Sequence, residues 1–141
     1  MNLDAVVNRA FPGIVHSYDW RDSALYALGL GLGEDPLDAR ELAFVYERAQ
    51  RVVPSQCVVL GRLGLWQREP QMAIDWVRLL HGEQYFELHR PLSPEARVRA
   101  THRVSAVEDK GVGKGALLHV ETALSDEATG ERLASIRQTQ F

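Results

Sequence analysis

The chain has 141 residues, 45% hydrophobic and 25% charged, with a net charge of −3, which fits one soluble globular domain with room for a core. Charge is even along it, 7 basic against 9 acidic residues over 1–70 and 9 against 10 over 71–141, so neither nucleic acid nor an anionic membrane is expected as a partner. No apolar run approaches the roughly 20 residues that cross a bilayer, Met1-Asn2-Leu3-Asp4 does not open a signal peptide, and the single cysteine, Cys57, excludes an internal disulfide; the expectation is a cytoplasmic protein.

The first predicted element is a helix from about Asp19 to Leu32. Asp19 can cap it, with Asp22 three positions on near the positive helix end. Leu25, Leu28 and Leu32 recur at helical spacing, with Ala24 and Ala27 as small packing neighbours. Gly29, Gly31 and Gly33 end it; their G-x-G-x-G spacing closes a helix and is not a dinucleotide fingerprint. Glu34-Asp35-Pro36 reads as a turn, and residues 41–49 fit either helix or strand. Pro54 suits a first helical turn whose buried part would be Val58, Val59, Leu60 and Leu63. Residues 65–70 form a loop, and Ile74 to Leu80 is apolar.

From residue 83 onward the period changes to two. Gln84, Phe86 and Leu88 alternate with Glu83, Glu87 and His89; Val98, Ala100, Val104 and Ala106 with Arg97, Arg99, Arg103 and Ser105; Ala116, Leu118, Val120 and Leu124 with His119 and Glu121. Pro91 and Pro94 bracket one turn, and Ser125 to Glu131 is another. Helices followed by strands with one buried face describe an α+β domain with an antiparallel sheet. The chain stops at Phe141 inside a strand-like segment, which reads as a missing continuation.

Two clusters could carry chemistry. Leu80-His81-Gly82-Glu83-Gln84-Tyr85 places an imidazole, a glycine, a carboxylate and an amide at a strand start. It reads either as a ligand contact, with Gly82 opening the backbone and His81 donating a hydrogen bond, or as a solvated bend. Asp109-Lys110-Gly111-Val112-Gly113-Lys114-Gly115 holds the only two lysines among 16 basic residues. It is not a P-loop; it is either a phosphate-binding loop or a hairpin tip. The histidines at 16, 81, 89, 102 and 119 form no metal-ligand spacing. Ser55, Ser105 and Cys57 lack a nucleophile signature, Cys57 reads as a buried small hydrophobe, and no carboxylate pair stands out for acid–base work.

Taken together, Asp22-x-x-x-Tyr26-Ala27-Leu28-Gly29, Asp35-Pro36, Tyr46-Glu47, Leu80-His81-Gly82-Glu83-Gln84, Arg90-Pro91-Leu92 and Asp109-Lys110-Gly111-x-Gly113 resemble, collinearly from about residue 16 to 141, the N-terminal half of the hydratase-2 type enzymes. These are the MaoC-like (R)-specific enoyl-CoA hydratases, including the hydratase unit of peroxisomal multifunctional enzyme type 2. The resemblance implies a single hotdog fold over 1–141, a sheet wrapped around a long helix. Pro54–Leu63 would be that helix, Asp22–Leu32 a preceding one, and 41–49 would include the first strand.

The same resemblance implies hydration of trans-2-enoyl-CoA to (R)-3-hydroxyacyl-CoA or the reverse, with no cofactor beyond the coenzyme A of the substrate. His81 and Gly82 would contact the substrate and Lys110 the CoA moiety, beside an acyl tunnel lined by residues such as Leu25, Leu28, Val58 and Leu60. The family's catalytic Asp-x-Asn-Pro-x-His lies in a second hotdog and has no match here, since Asn2 and Asn8 are the only asparagines. The chain is therefore expected to carry no catalytic residue, to be inactive alone, and to pair with a catalytic hotdog half in the same or another chain, as a homo- or hetero-oligomer such as a dimer. Two alternatives are a standalone acyl-CoA thioesterase, which would need a nucleophile or carboxylate on the wrapped helix, where Pro54–Leu63 offers only Ser55, Gln56 and Cys57, and a non-enzymatic acyl-CoA-binding scaffold.

Overall fold

A computed structural model describes all of residues 1–141. Five antiparallel strands form one sheet in the order β1-β3-β4-β5-β2, with β1 Ile14–Tyr18, β2 His81–Leu88, β3 Ala96–Asp109, β4 Ala116–Asp126 and β5 Arg132–Gln140. Three short helices precede β2: α1 Leu3–Val7, α2 Trp20–Gly29 and α3 Ala39–Val45. No helix is long and apolar enough to cross a membrane. The chain from 19 to 80 leaves one sheet edge at β1, crosses the inner face and returns at the other edge as β2.

The α+β reading and the strands of the second half stand. α2 also begins as its sequence predicts. The Asp19 carboxylate accepts from the Arg21 and Asp22 N–H groups while Asp22 accepts from the Asp19 N–H, a capping box. It ends in a Schellman motif: Leu32 N–H donates to Ala27 C=O and Gly31 N–H to Leu28 C=O, with Gly31 at φ +88°.

Four expectations are corrected. The buried face of α2 is its small-residue face. Ser23, Ala24 and Ala27 are buried while Leu25 and Leu28 are exposed, because Ser23 must approach the Pro94 carbonyl closely enough to donate to it at 2.8 Å. The first strand is Ile14–Tyr18, led by two β-branched residues. Residues 41–49 supply no strand; Asp38 caps a helix there, its carboxylate accepting from Arg40 N–H, and Glu41 reaches back to Gly33 N–H at 2.9 Å.

The helix expected over Pro54–Leu63 contracts to a six-residue 3₁₀ helix, Pro54–Val59. Its valines resist helical packing, Leu60 is extended, and Gly61 turns left-handed at φ +59°. Finally, Ala106 faces outward. A bulge between Val104 and Ala106 shifts the pairing, so Ala106 lies opposite His119 and Val107 lies opposite Leu118, and Val107 joins the inner cluster instead.

Two apolar clusters sit between the sheet and the segments that cross it. One joins Tyr18, Cys57 and Leu60 to Val98, Ala100, Leu124, Ala134 and Ile136; the other joins Val6, Trp66 and Met72 to Leu118 and Val120. Between them the sheet's inner face is polar.

Candidate functional site

Cross-strand partners share a face. The inner face of the outer strands therefore carries Gln84 opposite Gln138, Gln138 opposite Val120, and Phe86 opposite Ile136. Strict alternation would turn His81 to the outer face. A bulge between His81 and Glu83 prevents this and puts His81 opposite Gln140, which lies opposite Leu118 on the inner face. Gly82 occupies that bulge, where a Cβ would lie 3.3 Å from the Thr139 carbonyl oxygen. The glycine thus serves the close approach of β5, and through it the aim of His81.

His81 lines a groove of about 380 Å³, within the usual size of small-molecule sites. Val58, Leu60, Leu63, Leu65 and Trp66 supply its apolar side, and His81, Gln84, His102, Thr122, Gln138 and Gln140 its polar floor. Gln138 Nε2 donates to His81 Nδ1 at 2.8 Å. Gln67, buried at 4% exposure, donates Nε2–H to Gln140 Oε1 at 2.8 Å. His102 bridges floor and roof. Its Nε2–H donates to the Gly61 carbonyl at 3.0 Å, so in the neutral ring Nδ1 accepts from the Thr122 hydroxyl at 2.8 Å. Burial holds the His102 imidazole below its usual range, the Gly61 carbonyl opposing this in part.

Lys110 lies elsewhere. The β3–β4 hairpin tip is at the same end of the sheet as His81, but Lys110 Nζ is held at 2.7 Å by Glu108, and Glu108 lies opposite Leu117, on the outer face. Glu108 also accepts from His119 Nε2 at 3.2 Å, and His119 Nδ1 lies 3.1 Å from the Thr139 hydroxyl. The lysine beside it, with help from His119, holds the Glu108 carboxyl below the ordinary range. His81 and Lys110 do not share a cavity, and a ligand touching both must pass round the end of the sheet. Lys114 lines a separate apolar pocket with Arg78, Leu80 and Phe141.

Of the expected tunnel residues, Val58 and Leu60 line the groove while Leu25 and Leu28 are on the surface. The hydroxyl of Ser55 accepts from Tyr26 at 3.0 Å, Gln56 is buried and donates to Ser23, and burial pushes the Cys57 thiol up to about 11. These three residues are engaged in holding the 3₁₀ helix to α2 and the sheet. The floor residues Gln138, Gln140, Thr122 and His102 escaped the sequence reading, though inward-facing polar residues in a period-two pattern are a signal that could have found them.

A five-stranded antiparallel sheet around a short buried helical segment, with a polar-floored groove on its inner face, is the hotdog of the MaoC-like dehydratases. The MaoC-like dehydratase of Phytophthora capsici superimposes over the whole chain and 49% of its own, with a TM-score of 0.77 at 27% identity. The sequence profile of the MFE-2 hydratase 2 N-terminal domain matches residues 16–141, and the chain belongs to that family. The peroxisomal enoyl-CoA hydratase 2 of Arabidopsis thaliana is 37% identical over 99% of this chain and 47% of its own length. The chain spans about half the length of the relatives it matches. A structure of the HadBC (3R-hydroxyacyl-ACP dehydratase) complex of Mycobacterium tuberculosis shares the fold at 13% identity and a TM-score of 0.60, with 94% of this chain covering 97% of that one.

Proposed function

We propose that this chain is the substrate-binding half of an (R)-specific enoyl-CoA hydratase, or 3-hydroxyacyl-CoA dehydratase, of fatty-acyl-CoA metabolism. The observation that carries this reading is His81, turned by the Gly82 bulge onto the floor of a groove whose opposite side is apolar. An acyl chain lies along Val58, Leu60 and Trp66, where burial of apolar surface favours it, and its polar end faces the imidazole. Lys110, on the outer face, meets the CoA phosphates after the cofactor arm rounds the end of the sheet, Glu108 giving up its ammonium to do so.

Hydration needs a base and an acid positioned on one water, and the groove has no carboxylate and no imidazole nitrogen free to act as the base. His81 Nδ1 is occupied by Gln138 and His102 has both ring nitrogens engaged. The acid–base pair comes from a catalytic hotdog half, in the same or another chain. Two features support such an assembly: β2 is an edge strand with no neighbour on its far side, and HadBC, to which the fold is similar, is a complex.

The test is titration of the chain with crotonyl-CoA and with dephospho-CoA. Crotonyl-CoA should bind, more weakly in Lys110→Ala and with a flatter salt dependence. Equal binding of CoA and dephospho-CoA by wild type and variant would leave the 110–115 loop as a hairpin tip only. Loss of no affinity in His81→Ala would remove the groove from the reading.

A further inference from the structure

The groove floor has an internal order that the binding of an alkyl chain does not require. Gln138 donates to His81 Nδ1 at 2.8 Å. In the neutral ring the proton then sits on Nε2, which has no partner in the protein and is free to donate. On the neighbouring strand, Gln140 Oε1 is taken by the Nε2 of Gln67 at 2.8 Å. That leaves the Gln140 amide NH₂ as the free end. His81 and Gln140 are direct cross-strand partners on the same face and both line the groove, so one floor carries two N–H donors without a protein partner.

Each donor is aimed by a second amide, and one of those amides is costly to keep. Gln67 is 4% exposed, and its Oε1 is buried without a hydrogen bond. An unpaired buried amide oxygen opposes folding, yet this side chain fixes the orientation of Gln140. Gln140 and Gln138 are only half-buried, so their free ends are within reach of a molecule in the groove.

We infer that His81 Nε2–H and the Gln140 amide form a two-donor receptor for a single acceptor oxygen of the bound acyl group, with Gln138 and Gln67 as positioning residues. The inference rests on the reading of this chain as an acyl-CoA-binding half. The oxygen can come from the thioester carbonyl or from a hydroxyl on the acyl chain. Both offer the same lone pairs to the same two donors.

Three ligands of equal chain length separate the sources: butyryl-CoA, 3-hydroxybutyryl-CoA, and S-butyl-CoA, a thioether with neither oxygen. Calorimetric titration of the chain should give roughly fivefold tighter binding of butyryl-CoA than of the thioether if the carbonyl is received, from the size of a neutral hydrogen bond. The same preference shown only by 3-hydroxybutyryl-CoA would place the hydroxyl there. Either preference should shrink in Gln140→Leu, shrink less in Gln67→Leu, and vanish when Gln140→Leu is combined with His81→Ala. Equal binding of all three would overturn this inference and leave the acyl-CoA reading intact; binding of none would overturn both.

Imidazole ¹⁵N shifts at pH 8 report the positioning role without any ligand. The neutral His81 ring should carry its proton on Nε2 in wild type and become a mixture of tautomers in Gln138→Leu. A proton on Nδ1 in the wild type would overturn the assignment.

Discussion

Replacing Gly61 by alanine probes the contact that holds the roof of the groove to its floor. A Cβ at this position would lie 2.6 Å from the Cβ of Ala100, far inside van der Waals contact. Ala100 is fully buried in β3, between β1 and β4, and cannot withdraw. Two costs follow. Overpacking of a core contact typically costs about 1–3 kcal/mol, and the left-handed φ of +59° adds roughly 1–2 kcal/mol for a residue with a Cβ. Gly61→Ala should therefore destabilise by about 3 kcal/mol, or lower Tm by roughly 10 °C for a chain of this size.

Urea denaturation of Gly61→Ala, Ala100→Gly and the double variant separates the two costs. Removing the Ala100 methyl relieves the clash but not the backbone strain, so the double variant should be more stable than additivity predicts by about 1–3 kcal/mol. The His102 bond to the Gly61 carbonyl should weaken in the single variant, seen as an altered His102 ring shift. A Gly61→Ala cost under 1 kcal/mol, or strict additivity in the cycle, would refute the close-approach argument.

Other expectations follow from single contacts. Burial pushes the His102 imidazole below its ordinary value of about 6.5, so just below that value the native state binds fewer protons than the unfolded chain. Stability should fall as pH drops through that point toward the lower native value, and His102→Gln should flatten this part of a Tm-against-pH curve; an unchanged slope would contradict the assignment. Cys57, fully buried with its thiol pushed up to about 11, should resist a thiol reagent at pH 8 in the native state and react on unfolding, and rapid native labelling would count against the packing of the 3₁₀ helix. Asp19→Ala removes the half of the α2 capping box that the Asp19 carboxylate makes, leaving Asp22 to accept from the backbone N–H at position 19, and should cost about 1 kcal/mol in chemical denaturation. Glu108→Gln releases Lys110 from its 2.7 Å ion pair and should tighten CoA binding at low salt; unchanged affinity would mean that Glu108 does not compete for that lysine.

Period two in Val98, Ala100, Leu118, Val120 and Leu124 makes the strands of the second half legible in the sequence. It misleads where a single residue breaks the period. The bulges after Val104 and at Gly82 exchange the faces of Ala106 and Val107 and turn His81 inward, and alternation alone does not foresee a bulge. α2 failed in the opposite sense. Its leucines have the spacing of a core face, but the tertiary demand is for the hydroxyl of Ser23 to reach Pro94 and Gln56, so the small residues go inward. His81 and Gly82 were visible as a motif. The amides that orient His81 and Gln140 were not, since Gln67 lies 73 residues from Gln140 and Gln138 lies 57 from His81, and only the fold brings them together.

In the proposed function this chain receives an acyl-CoA without carrying out its hydration. One sample decides it: the purified chain with crotonyl-CoA, followed by calorimetry for binding and by loss of the conjugated thioester absorbance for hydration. The expected result is saturable binding, weakened in His81→Ala, with no loss of absorbance until a catalytic hotdog half is added. Hydration by the chain alone, or no binding at all, would contradict it.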